Sequence, residues 1–185
     1  MHTCKTQLES VTPYGQSKYI GLKPGPKETA ADFEKRMWRE RMHYDENGMV
    51  YIPPMAFKNC LSEAAKYLSL SIPGKGKATY TKHFEAGILV ADPLPLGVHR
   101  DKVDGLPLML NANGRRGSGT RVERIMPCIK SWKGEVAWHI LDDLISKDVF
   151  ERVLKEAGNL IGIGFFRPRN NGFWGRFRIL KLEWG

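Results

Sequence analysis

The strongest secondary-structure signal in this sequence lies in residues 50–68, VYIPPMAFKNCLSEAAKYL. Its first residues read as a short extended segment that leads through Pro53-Pro54 into a helix. Apolar side chains then recur at spacings of three and four residues, and this period predicts a helix over 55–70 with one buried face. The apolar side chains of that face are Phe57, Cys60, Leu61, Ala64, Ala65 and Leu68.

The segments on either side of this helix complete a pattern of strands and helices. A second amphipathic helix begins after Ser146, which can act as its N-cap, and Gly158 suits its end. The remaining elements are predicted, in chain order, as a β-like stretch at 17–22, a helix over 29–42, and strands at 83–91, 121–129, 136–141 and 176–184. The order strand, helix, strand, excursion, strand, helix, strand predicts an α+β fold with a ferredoxin-like β-α-β-β-α-β layout.

The sequence has no linker long enough to separate two hydrophobic cores, so we expect one domain over residues 1–185. Its main insertion is an excursion at about 92–120, which is rich in proline, glycine, asparagine and charged residues. We expect this excursion to be a flexible basic loop. A glycine-rich loop follows the second helix and precedes the last strand.

The net charge of +9, from 29 Lys and Arg against 20 Asp and Glu, is concentrated in two segments. Residues 105–134 carry a net charge of +5 and residues 160–185 carry +4, so the rest of the chain is neutral. Two basic segments on a neutral scaffold indicate a polyanionic partner.

Other compositional features argue against several classes of protein. No run of about 18 apolar residues is present, so no membrane span is expected, and the N-terminus lacks the apolar stretch of a signal peptide. The three cysteines are widely spaced and form no CxxC pair, which fits a reducing, cytoplasmic location. The five histidines have no metal-ligand spacing, so we expect neither a metal site nor a cofactor.

Residues 162–175, GIGFFRPRNNGFWG, combine three ingredients of nucleic-acid binding. Glycines let backbone N–H groups approach an anion, arginines offer forked donors to phosphate, and aromatic faces accept stacked bases. The opposing interpretation is a glycine-rich turn whose aromatic side chains are core and whose arginines are solvated. The candidate nucleic-acid-binding residues of this region are Gly162, Gly164, Arg167, Arg169, Asn170, Asn171, Gly172, Phe173, Trp174, Gly175 and Arg176.

Two further places could contact a polyanion. Arg115, Arg116 and Arg121 lie in or beside a Gly/Ser/Asn-rich stretch, where arginines can clasp a phosphate backbone without fixed geometry. A merely solvated loop is the alternative there. Lys58 lies in the first turns of the 55–70 helix, where free N–H groups and the helix dipole favour an anion.

Two motifs resemble those of the RAMP superfamily, which includes the crRNA-binding backbone subunits of CRISPR effector complexes. Tyr51-Ile52-Pro53, followed by Lys58, Leu61 and Ala64-Ala65, is similar to its signature of a hydrophobic-Ile-Pro entry into a helix with an early lysine. The pattern GIG-(x)7-GFWG resembles its glycine-rich loop, which also follows the second ferredoxin helix.

This resemblance implies an RRM-like fold that binds single-stranded RNA, often as a helical row of subunits, in antiviral defence. By position, Lys58 and residues 162–175 would contact the RNA. Residues 111–120 would correspond to a thumb-like hairpin.

The resulting hypothesis is a non-catalytic, sequence-independent binder of single-stranded nucleic acid, with RNA as the expected ligand, that is a subunit or relative of a CRISPR-type ribonucleoprotein. Other subunits or further copies of the chain are its expected protein partners, and no residue is assigned as catalytic. Three alternatives stay open: a metal-independent endoribonuclease using His43, His83 or His139, a single-strand DNA-binding or annealing protein, and a protein-interaction module that mimics an effector subunit.

Overall fold

The computed structural model of the chain describes residues 1–112, 117 and 119–185. Its helices are α1 (Ala30–Met37), α2 (Pro54–Leu68), α3 (Thr81–Ala86) and α4 (Lys147–Glu156). Its strands are β1 (His2–Ser10), β2 (Tyr14–Gly15), β3 (Met49–Ile52), β4 (Ile88–Leu89), β5 (Leu94–His99), β6 (Asp104–Asn111), β7 (Arg121–Ile129), β8 (Lys133–Ile140) and β9 (Phe177–Trp184). The described residues therefore combine antiparallel sheets with helices, which is compatible with the predicted α+β class.

The principal sheet has the strand order β4-β8-β1-β9, and every neighbouring pair in it is antiparallel. The ring of Trp138 in β8 lies 6.3 Å from Phe57 of α2 and 5.5 Å from Phe150 of α4. Because one side chain of the sheet contacts both helices, α2 and α4 cover the same face. The hydrophobic core lies between them and the sheet.

The two amphipathic helices begin where the sequence predicts. The apolar face of α2 is buried, and the Ser146 hydroxyl accepts a hydrogen bond from the backbone N–H of Val149 at 3.4 Å, so the predicted N-cap of α4 is confirmed. α4 ends at Glu156 with Ala157 as its C-cap, directly before Gly158 as predicted, and the chain then continues through a wider turn over Ala157–Ile161. It leaves that turn at Gly162, whose φ of +71° suits glycine.

The predicted first strand at 17–22 is wrong. The strand that lies in the middle of the principal sheet is β1, and residues 17–22 form no strand. The sequence pattern does not predict β1, because one of its inward side chains, Thr6, is polar. Thr6 is fully buried, and its hydroxyl accepts a hydrogen bond from the indole N–H of Trp138 at 2.8 Å. Similarly, most of the predicted strand at 83–91 belongs to α3 and the turn after it, and only Ile88–Leu89 pair with β8.

The predicted flexible excursion at 92–120 is largely regular structure. β5 pairs with β3, and β6 pairs with β7 over eight residues, from Asp104 opposite Cys128 to Asn111 opposite Arg121. Pro95 and Gly97 lie within β5 and Gly105 and Pro107 within β6, and Ile125 of β7 and Trp38 pack against Gly105. Of the remaining stretch, Arg115 and Arg116 lie outside the described residues.

Within the described ranges, no helix has both the length and the apolar composition needed to cross a bilayer.

Gly158→Ala tests how tightly the turn after α4 packs on β9. A Cβ at this position would overlap the carbonyl oxygen of Phe177, so the backbone must shift. We expect the free energy of unfolding to fall by about 1–3 kcal/mol, as for other overpacked sites. The control is Gly21→Ala, where the nearest atom to an added Cβ is 3.9 Å away, and the change should stay within about 0.5 kcal/mol. Urea unfolding followed by tryptophan fluorescence measures both, and equal midpoints for the two variants would contradict the packing described.

Candidate nucleic-acid interface

The segment 162–175, which we call the glycine loop, is folded back on itself by backbone hydrogen bonds. Three of its glycine amides are already used: Gly162 donates to Ala157 at 2.8 Å, Gly172 to Arg167 at 3.0 Å and Gly175 to Pro13 at 2.7 Å. These N–H groups are therefore not free donors for an anion, which is the use that the sequence suggested for them.

The glycines of this loop instead permit close backbone contacts. A Cβ at Gly172 would overlap the carbonyl oxygen of Phe166, one at Gly175 would overlap that of Ile163, and one at Gly164 would overlap that of Gly15 in β2. Gly164 thus holds the loop against β2, whereas Gly172 and Gly175 let the loop fold closely onto its own backbone.

The aromatic side chains of the glycine loop divide into buried and exposed groups. Trp174 is only 4% exposed and packs on Gly15, whereas Phe166 is 40% exposed and Phe173 is 53% exposed. The rings of Phe166 and Phe173 lie 5.6 Å apart in an edge-to-face arrangement. The alternative of a turn with core aromatics therefore holds for Trp174, but two phenylalanine rings face solvent.

Two arginines of the glycine loop share a single carboxylate on α2. Arg167 Nη1 lies 2.9 Å from Glu63 Oε2, and Arg169 Nε lies 2.9 Å from Glu63 Oε1. We call these three residues the Glu63 cluster. Two guanidinium groups against one carboxylate leave a net positive charge, and half of the Arg169 side chain is exposed.

Arg176 has a different role from these two arginines. Its Nε donates to the carbonyl of Asn159 and its Nη1 to the carbonyl of Phe173, both at 3.1 Å. Arg176 therefore links the turn after α4 to the glycine loop and holds the loop in place.

Lys58 is likewise occupied within the protein. Its ammonium donates to Ser62 Oγ at 2.8 Å and to the carbonyls of Phe84 at 3.3 Å and Glu85 at 2.7 Å, at the C-terminal end of α3. An ammonium has three protons, so all of its donors have partners. Partial burial also lowers the pKa of Lys58. The structure thus places this lysine as the link between α2 and α3.

A second arginine cluster, which the sequence analysis missed, lies under the β6–β7 hairpin. The Glu34 carboxylate is 3% exposed and accepts from Arg41 Nη2 at 2.9 Å, from Arg124 Nη1 at 3.4 Å and from the backbone N–H of Ile125 at 2.7 Å. We call this the Glu34 cluster. The one feature of the sequence that could have indicated this cluster is the position of Glu34, which shares the buried side of α1 with Phe33 and Met37. Arg121 lies at the start of β7, exposed and opposite Asn111.

The free face of the principal sheet, opposite α2 and α4, has a different character. Its side chains are charged and paired, as in Arg178 with Glu9 at 2.6 Å and Lys5 with Glu135 at 3.9 Å. Across β1, β8 and β9, all within the described part of the chain, this face presents no Phe, Tyr or Trp. It therefore lacks the aromatic side chains on which RRM domains stack bases.

The three candidate catalytic histidines have different neighbours, and the ring of His43 lies 5.9 Å from that of Tyr51. His83 Nδ1 lies 2.6 Å from Asp142 Oδ2, with each side chain 27% exposed, while His139 lies on the free face of the sheet. Burial lowers the pKa of His43. The hydrogen bond from His83 holds the pKa of Asp142 below its ordinary value. No group of three possible metal ligands occurs among the described residues.

Comparisons with known proteins give a fold likeness only. No known family model matches the sequence, and no curated protein matches it. A chain in a cryo-EM structure of the Type III-B Cmr-beta complex bound to cognate target RNA is similar, with a TM-score of 0.55 and 11% identity over 99% of this chain and 60% of that chain. Cmr6 from Pyrococcus furiosus has a TM-score of 0.47 and 10% identity over 97% of this chain and 99% of that chain. At such an identity the likeness to the Cmr-beta chain is one of fold alone.

Asp142→Asn tests the His83–Asp142 pair as a structural contact. The pKa of Asp142 is lower in the folded than in the unfolded protein. The ionised carboxylate therefore stabilises the folded protein above the unfolded pKa of about 3.9, and this contribution is lost as the pH falls through the folded pKa. We expect the substitution to lower the free energy of unfolding by about 1 kcal/mol at pH 7, since the pair is partly exposed, and by less at pH 3. Urea unfolding of the wild type and the variant at pH 7, 5 and 3 measures this change in the free energy of unfolding.

The control for this variant is Asp143→Asn, whose side chain is 79% exposed and pairs with the N-terminal amine. It should leave stability nearly unchanged across the same pH range. A destabilisation by Asp142→Asn that is undiminished at pH 3 would contradict the ionic contribution of the pair.

Proposed function

We propose that this chain binds single-stranded RNA without sequence specificity, as a RAMP-type component of a CRISPR-associated ribonucleoprotein. The observation that carries the proposal is the juxtaposition, on the glycine loop, of the exposed rings of Phe166 and Phe173 with the guanidinium groups of Arg167 and Arg169. Exposed rings can stack on bases, and guanidinium groups can bind the phosphates between them.

The order of elements supports the RAMP assignment. We infer that β1, α2, β4, β8, α4 and β9 form a ferredoxin-like core, since a helix lies between β1 and β4 and another between β8 and β9. The fold likeness to a chain of the Cmr-beta structure, which contains target RNA, agrees with this assignment. RNA is therefore preferred here to single-stranded DNA.

The proposed interface is the side of the protein that carries the glycine loop, rather than the free face of the sheet. On the free face each basic side chain named above has a nearby carboxylate and no aromatic neighbour for a base. In the Glu63 cluster one carboxylate serves two arginines, so positive charge remains for phosphate. The ammonium of Lys58 is saturated, and we leave it out of the interface.

The double variant Arg167→Gln/Arg169→Gln tests the phosphate contacts. We expect single-stranded RNA affinity at low salt to fall by roughly tenfold or more, and the slope of log K against log salt to decrease by about 1 to 1.5, since two phosphate contacts are lost. Fluorescence anisotropy with a labelled oligouridine at several salt concentrations measures both. The control is Arg178→Gln on the free face of the sheet, which should bind like the wild type. Equal affinity and slope in all three proteins would refute the assigned site.

Glu63→Gln should have the opposite effect. The carboxylate now neutralises part of the charge of Arg167 and Arg169, and it must release them before a phosphate can bind them in the same way. Removing its charge is expected to tighten RNA binding by roughly threefold to tenfold at low salt and to steepen the salt dependence. The matched control is Glu9→Gln, which removes a carboxylate from a single arginine on the free face. If Glu63→Gln is folded and binds RNA no more tightly than wild type, the Glu63 cluster is not part of the interface.

A further inference from the structure

A polar groove of about 500 Å³ lies beside the Glu63 cluster, on the side of α2 that faces away from the core. Its lining residues come from α2, where they are spaced three and four apart, from the last turn of α3 and from the glycine loop. They include Asn59, Ser62, Glu63 and Lys66 of α2, Glu85 of α3 and Arg169 of the glycine loop. The groove therefore continues directly from the pair of arginines to which the phosphate contacts are assigned.

The end of α3, which brings Glu85 to this groove, is fixed to α2 by hydrogen bonds to the backbone. The ammonium of Lys58 donates to the carbonyl of Glu85 at 2.7 Å, and both Lys58 and the hydroxyl of Ser62 donate to the carbonyl of Phe84 at 3.3 Å. These contacts use the main chain of α3 and leave the carboxylate of Glu85 free to act on a ligand. Lys58 thus contributes to the groove as a positioning residue, without contacting the ligand itself.

Two exposed side chains of the groove have unused hydrogen-bonding groups. Among the described residues, the carboxylate of Glu85 accepts no hydrogen bond, and the side-chain amide of Asn59 takes part in none. A carboxylate offers acceptors only, whereas an amide offers both a donor and an acceptor. The groove therefore matches a ligand group that can donate one hydrogen bond and accept another.

The charges of the groove favour a hydroxyl over a second phosphate. The carboxylates of Glu63 and Glu85 both line it, and they would repel another anion. It also offers a poor site for a base, because the one aromatic side chain in its lining, Tyr67, is 61% exposed. A sugar hydroxyl donates to a carboxylate and accepts from an amide, as the ribose hydroxyl does on the acidic residue of dinucleotide-binding folds.

We propose that this groove recognises the ribose 2′-hydroxyl next to a phosphate bound by Arg169, with Glu85 as the acceptor and Asn59 as the donor. The inference rests on the proposed function and deepens it. There the preference for RNA over single-stranded DNA depends on a likeness of fold, whereas here it becomes a property of two named side chains. Glu85 and Asn59 are then the residues that determine this specificity.

The test compares three labelled single strands of equal length: oligouridine, oligodeoxyuridine, and oligouridine with 2′-fluoro sugars. Fluorescence anisotropy measures their affinities at several salt concentrations. We expect wild-type protein to bind oligouridine roughly tenfold more tightly than oligodeoxyuridine, as for one hydrogen bond to a charged group. This ratio should not change with salt, because the two strands present the same phosphates. The 2′-fluoro strand keeps the sugar conformation of RNA but has no proton to donate, so it should bind like the deoxy strand.

Glu85→Ala removes the proposed acceptor and should reduce the ratio of RNA to DNA affinity to about twofold or less. Its affinity for oligodeoxyuridine should stay equal or rise, because a negative charge beside the phosphates is lost. Asn59→Ala removes the proposed donor without changing the charge, and it should reduce the ratio by roughly threefold. The matched control is Glu151→Ala, which removes an exposed carboxylate of α4 that does not line the groove. It should leave the ratio at the wild-type value.

Three results would refute the hydroxyl site while leaving strand binding intact. They are equal wild-type affinity for oligouridine and oligodeoxyuridine, binding of the 2′-fluoro strand as tight as that of oligouridine, and a wild-type ratio in both groove variants. If wild-type protein binds none of the three strands at low salt, the proposed function itself fails.

Discussion

The close approach of backbone to backbone in the glycine loop is the constraint on which the candidate interface depends. Gly172 lies against the carbonyl of Phe166, Gly164 lies against the carbonyl of Gly15 in β2, and Gly175 lies against the carbonyl of Ile163 within the loop. This packing fixes Phe166 in its left-handed conformation and directs Arg167 towards Glu63 on α2. The glycines therefore act on a ligand indirectly, by positioning the side chains that could contact it.

The same electrostatic arrangement occurs twice around this loop. In the Glu63 cluster and in the Glu34 cluster one carboxylate serves two arginines, so each retains a net positive charge while its guanidinium groups are held in place. The Glu34 carboxylate is buried and also accepts from the edge of β7, whereas Glu63 is partly exposed. The buried cluster thus fixes the hairpin against α1, and the exposed cluster can exchange its carboxylate for a phosphate.

The elements that local periodicity specifies could be predicted from the sequence, and those that depend on distant partners could not. α2 and α4 follow from apolar spacing, and β9 follows from a strand pattern in which successive residues alternate between two faces. β1 was missed because the buried Thr6 finds its hydrogen-bond partners in Val136 and Trp138, 130 and 132 residues away. β7 was predicted, but its partner β6 was missed because Gly105 and Pro107 are typical of loops. In the site, Arg167 and Arg169 came from the sequence, whereas the pairing of Arg41 with Glu34 and the occupied ammonium of Lys58 depend on contacts between separate elements.

The central claim is that nucleic acid contacts the glycine-loop side of the protein and not the free face of the principal sheet. Photocrosslinking of the protein to 4-thiouridine-containing single-stranded RNA, followed by mass spectrometry of the crosslinked peptides, tests it most directly. The account predicts crosslinks within residues 162–175 and in the strands of the β6–β7 hairpin. Crosslinks confined to β1, β8 and β9 would contradict it.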